Sequence, residues 1–106
     1  MPKYLFEARY TAEGAKGLEK EGGVGRRKAV EKHLEQIGGK LESMYFAFGD
    51  VDTFVIVDLP DNVSAASLSL AVNQSGAIVT KVVVLLTPED VDKAIQHKIH
   101  FRAPGK

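Results

Sequence analysis

The chain has 106 residues, 44% of them hydrophobic, with 14 basic residues against 14 acidic ones. That length suits one hydrophobic core, and the balanced charge offers no general field for nucleic acid, an anionic membrane or a highly charged substrate. The absence of cysteine removes disulfides, thiolate nucleophiles and thiolate metal sites.

Residues 3–10 alternate, with Tyr4, Phe6, Ala8 and Tyr10 on one face and Lys3, Leu5, Glu7 and Arg9 on the other, which predicts a first strand. No basic region with a long apolar run precedes it, so a signal peptide is not expected. Thr11 to Arg26 holds Gly14, Gly17, Gly22, Gly23 and Gly25 among charged residues. Each interior glycine costs a helix about 1 kcal/mol, so a short helical turn and a mobile loop are expected there. From Arg27 the spacing of Val30, His33, Leu34 and Ile37 predicts an amphipathic helix, stopped by Gly38-Gly39. A second strand follows from near Lys40, with Leu41 to Phe48 rich in aromatic residues. A polar break at Gly49 to Asp52 and a third strand over Thr53 to Asp58 complete a hairpin. Asn62 or Ser64 is expected to cap a helix over Ala65 to Ser75, and Gly76 to end it. Ala77 to Leu86 reads as a β-branched last strand, and the longest apolar run, Val82 to Leu86, is too short to cross a bilayer. Thr87-Pro88-Glu89-Asp90 opens a short helix with Val91, Ala94 and Ile95 as its apolar face, before a frayed tail from Ala103.

This order is the split βαβ plan: an α+β, ferredoxin-like βαββαβ domain over residues 1–106 with an additional short C-terminal helix. Both long helices then cover one sheet face. The last strand is apolar on both sides, as are the hairpin strands, whereas a sheet with one solvated face should alternate cleanly. A homodimer, or a higher homo-oligomer, joined through the sheet face is the expectation, in the cytoplasm and without nucleic-acid or membrane partners.

Several stretches together resemble the GYD domain family. They are Tyr4-Leu5-Phe6 leading to Tyr10-Thr11, Arg26-Arg27, Gly38-Gly39-Lys40-Leu41, Phe48-Gly49-Asp50-Val51-Asp52, Leu59-Pro60-Asp61, and Gly76 before the last strand. The resemblance spans about Tyr4 to Glu89 and implies a ferredoxin-like domain of the dimeric α/β barrel kind. Gly49 and Asp52 match the family's naming motif, but Val51 stands where an aromatic residue is usual, which either alters a pocket or is a tolerated packing change. Related barrels include cofactor-free monooxygenases, haem enzymes and small-ligand sensors, so kinship alone selects no function.

Among candidate site residues, His33 falls on the apolar stripe of its helix and is either a base in a pocket between helix and sheet or a packed or rim histidine. Tyr10, Tyr45, Phe46 and Phe48 are either the aromatic wall of a ligand pocket or core and interface residues. Asp50 and Asp52 could position a polar ligand or serve their own turn. His97 and His100 share a side near the end without a third metal ligand, so no metal is assigned, and no cofactor is expected. The glycine-rich segment ending in Arg26-Arg27-Lys28 either receives phosphate at a helix start or is a solvated loop, and it lacks a phosphate-loop pattern. Three functions follow: a small-molecule-binding or accessory module for an apolar or aromatic ligand, a cofactor-independent monooxygenase- or isomerase-like enzyme using His33, Tyr10 or Tyr45, and a structural assembly subunit.

Overall fold

The computed structural model describes residues 1–47 and 49–106. Four strands, β1 (Lys3–Tyr10), β2 (Lys40–Phe46), β3 (Thr53–Asp58) and β4 (Ile78–Leu85), form one antiparallel sheet in the order β2-β3-β1-β4. This is the ferredoxin-like arrangement expected from the element order. The alternation of β1 sets the register, with Tyr4 beside Val57 and Val84, Phe6 beside Val55 and Val82, and Ala8 beside Thr53 and Thr80. These rows face the helices. The buried core is Tyr4, Phe6, Val55 and Val57 from the sheet with Leu34, Leu59 and Ala65, and Val30, Ile37, Leu41, Met44, Leu68 and Val82 pack around it. The Tyr4 hydroxyl reaches the helix layer and donates to Asn62 Oδ1 at 2.6 Å, which satisfies the one polar atom that this buried ring carries.

The stretch expected to be a mobile loop is helical. It forms α1 (Ala12–Glu21) and the first turn of α2 (Gly23–Glu35), so the second helix begins four residues before Arg27. Two local causes outweigh the glycine penalty. Thr11 caps α1 by accepting the Gly14 N–H at 3.2 Å, and its own N–H donates to the Ala77 carbonyl at 3.0 Å. Gly14 itself is buried against β4, where a Cβ would drive into the Ala77 carbonyl oxygen. The glycine is therefore what allows α1 to approach the sheet. Gly22, at φ +82°, makes the break between the two helices.

Gly38-Gly39 stops the helix as expected, by a division of labour. Gly38 takes φ +73°, while a Cβ on Gly39 would lie 2.6 Å from the Leu59 side chain and 2.8 Å from the Asp58 carbonyl oxygen. The next helix, α3 (Asn62–Gln74), starts earlier than Ala65, and Asp61 rather than Asn62 or Ser64 is its cap, accepting both the backbone N–H and the hydroxyl of Ser64 at 2.8 Å. The last helix, α4 (Pro88–Gln96), opens with a capping box in which the Thr87 hydroxyl accepts the Asp90 N–H and the Asp90 carboxylate accepts the Thr87 N–H. Every residue from Val91 to Arg102 is exposed. The radius of gyration of 16.8 Å exceeds the roughly 13 Å of a compact 100-residue domain, as a protruding segment requires.

On the sheet face away from α1, α2 and α3, Tyr45, Phe54, Val79 and Val83 are exposed and Leu5, Ile56 and Leu85 half-buried. Lys3 closes one end of this face with ion pairs to Asp58, at 2.8 Å, and to Glu42.

Candidate functional site

The site begins with a change of side-chain size along β1. Ala8 lies between Phe6 and Tyr10 on the helix-facing row, and its small side chain leaves a dent in the sheet. Thr53 and Thr80 flank it on the neighbouring strands. Thr80 is fully engaged: its N–H donates to Asn73 Oδ1 at 2.8 Å and its hydroxyl to the Glu7 carbonyl at 3.3 Å. Thr53 is only 2% exposed, and its Oγ1 is buried without a hydrogen-bond partner. A buried hydroxyl left in this state is costly.

Above the dent, α2 packs on β2 and α3 on β4. Val30, His33 and Leu34 on one side and Leu68 and Val72 on the other, with Met44 from β2, enclose a cavity of about 70 Å³. It leads outward between the two helices into a cleft of about 460 Å³ whose polar rim includes Gln36, Ser67 and Ser75. Arg26 and His33 belong to both spaces and stand where one passes into the other. Among the described lining residues of cavity and cleft, the ionisable side chains are Tyr10, Arg26 and His33, with no carboxylate. Arg26 is only loosely paired, its Nη1 lying 3.6 Å from Glu21 Oε1 on α1. The site thus combines an apolar interior, one unsatisfied hydroxyl at the bottom and positive charge at the entrance.

The sequence candidates separate. His33 is exposed on α2 rather than tucked against the sheet, at the edge of the stripe that Leu34 buries, yet its side chain lines the cavity. Tyr10 closes the end of the cavity and also borders a second cleft of about 430 Å³ with Leu18, Phe46 and Asp52. Asp52 accepts the Tyr10 N–H at 2.9 Å, donates its own N–H to the Ala8 carbonyl at 2.9 Å and accepts the Ala47 N–H at 2.8 Å. It therefore extends the pairing of β1 beyond Thr53. Tyr45 lies on the opposite sheet face, 71% exposed, and is not brought together with Tyr10. Phe48 falls outside the described residues. His97 is the C-cap of α4 and His100 follows it, both exposed, and among the described residues no three metal-ligating side chains are grouped. Of the residues that build the site, Ala8, Thr53 and Thr80 escaped the sequence reading, and Arg26 was read only as part of a basic, glycine-rich segment. The available signals were a small residue between two aromatic ones in β1 and threonines in otherwise apolar rows.

No curated protein and no solved structure matches the chain. The family model described as the GYD domain matches residues 4–95, a span that runs from the first strand through most of α4 and includes the whole cavity. The chain therefore belongs to the GYD domain family.

Proposed function

We propose that this GYD domain is a small-molecule-binding module that works as a homodimer. The observation that carries the binding reading is the cavity over Ala8, closed below by the orphaned Thr53 hydroxyl and open through the α2–α3 cleft. A buried pocket with a few convergent polar groups is the usual form of a ligand site, although 70 Å³ restricts the enclosed part to a slender group. The homodimer reading is supported by the apolar side chains of Leu5, Phe54, Ile56, Val79 and Val83, which share one face beyond the cover of the helices. Native mass spectrometry of freshly purified full chain tests both parts together. A dimer carrying an additional small mass is the expected spectrum; a monomer removes the assembly reading. For the pocket, Ala8→Leu fills the dent, and the expected result is loss of the added mass with the dimer retained. An added mass unchanged by that substitution places the ligand elsewhere.

A second reading, proton transfer on a bound substrate in the manner of a cofactor-independent monooxygenase or isomerase, rests on the position of His33 at the cavity entrance. It requires turnover that is lost in His33→Ala while ligand binding persists. A clean oligomer with no adduct and no ligand-dependent change in melting temperature would instead favour an assembly subunit.

A further inference from the structure

We infer that the outer face of α3 is a second self-association surface, on which another copy of this chain lays its own α3 antiparallel across a two-fold axis. This face belongs to the helix layer, away from the sheet face of the dimer proposed above, and so joins one dimer to the next. The inner side of α3 is accounted for, since Ala65 and Leu68 pack into the core and Val72 lines the cavity. Its outer side carries Val63, Ala66, Ser67 and Leu70, at the i, i+3, i+4, i+7 spacing of one helix face and all exposed. Val63 is 77% and Leu70 71% exposed, so the two large apolar side chains of this face meet water.

The charge pattern says what covers the face. From Asn62 to Thr80 the chain has no ionisable residue, in a protein where 26% of residues are charged. In the same layer α2 is the contrast, with Arg27, Lys28, Glu31, Lys32 and Glu35 all exposed. A charge placed near a two-fold axis is met at close range by its own copy, so an uncharged stripe is what such an axis requires. A different protein could have met charge with countercharge. The stripe is also symmetric about its middle. Val63 and Leu70 stand equally far from the Ala66-Ser67 step. In an antiparallel pair each Val63 therefore lies over the partner's Leu70, with the small residues at the crossing, where the backbones come nearest. One crossing of two 13-residue helices covers less than the roughly 1,200–2,000 Å² of a stable interface. The contact is accordingly weak and fills only as concentration rises.

The test is sedimentation velocity of the full chain from micromolar to millimolar concentration. Dimers that pair into tetramers toward the upper end are the expected result. Leu70→Glu and Val63→Lys should each weaken that step by at least about tenfold, because each sets a charge against an apolar side chain. The dilute dimer and the circular dichroism spectrum should not change. An equimolar mixture of the two variants should recover the step, since each contact then sets the new lysine against the new glutamate on one side and Leu70 against Val63 on the other. Positions 63 and 70 are two turns apart on one helix, so this recovery can arise only between chains. Single variants that keep the step, or a mixture that does not recover it, overturn the inference. An unmodified chain that stays dimeric at millimolar concentration also overturns it and leaves the face to a different protein. If the unmodified chain is instead monomeric when dilute, and forms at high concentration a dimer that Leu70→Glu abolishes, the inference stands while the sheet-face assembly reading falls.

Discussion

Thr53 and valine have nearly the same shape, and Thr53 occupies a site surrounded by apolar side chains in which valine would leave nothing unsatisfied. An orphaned buried hydroxyl costs about 1–3 kcal/mol, so Thr53→Val should raise the unfolding free energy of the ligand-free protein by about 1 kcal/mol. Thermal unfolding measures this directly, and an unchanged or lowered midpoint would show that the hydroxyl is already paired. Tyr4→Phe should act in the opposite direction, losing about 1 kcal/mol with the hydrogen bond to Asn62. Gly14→Ala forces a methyl group into the Ala77 carbonyl and should cost about 1–3 kcal/mol, with α1 lifted from β4. Residue by residue, the sequence disclosed the core better than the site. Tyr4, Phe6, Val55 and Val57 announce themselves by alternation, whereas the isolation of the Thr53 hydroxyl depends on which side chains three other elements bring near it. Arg26 was legible only as one charge of a basic loop, since a helix read as starting at Arg27 leaves its neighbour outside it.

At the level of elements, the error over Thr11 to Arg26 came from counting glycines as equal. Gly14 is there for close approach and Gly22 for a positive φ, and both functions are compatible with helices on either side. Gly22→Ala should therefore cost about 1–3 kcal/mol by placing a side chain in a region of backbone space reserved almost entirely for glycine. The caps of α3 and α4 make a pH prediction. Asp61 is held below the usual carboxylate range first by the Ser64 backbone N–H and then by its hydroxyl, and Asp90 similarly by the Thr87 backbone N–H and then its hydroxyl. A carboxyl whose folded pKa is depressed contributes stability that is present above its unfolded value, near 3.8, and is lost as pH falls through the folded value. Both helix starts should accordingly be insensitive to pH near neutrality and loosen on acidification below that value. Because α4 buries no side chain, its amide signals should shift toward coil values before those of the sheet. Asp90→Ala should remove that acid transition; a transition that survives the substitution would locate its cause elsewhere.

For the whole molecule, the two-sided apolar strands were legible in the sequence and correspond to the exposed face of Phe54, Val79 and Val83. What covers that face lies beyond the information in one chain's patterning, because burial against a helix and burial against another molecule leave the same residues in the same alternation. Phe54→Glu places a charge near the middle of the face without touching the core. If the sheet face forms the proposed dimer, this variant should elute as a folded monomer in size-exclusion chromatography with its circular dichroism spectrum unchanged; a persisting dimer would assign the interface to another surface.

The segment after β4 carries a different consequence. A nine-residue helix is marginal on its own in water, and α4 is held chiefly by its capping box and its N-terminal proline, with no side chain buried. Ending the chain after Thr87 should therefore leave the melting temperature of the domain almost unchanged. For a surface that received Val91 and Ile95, the capped helix would arrive partly pre-ordered, and the entropy still to be lost on contact would fall mainly on the tail around Ile99 and Phe101.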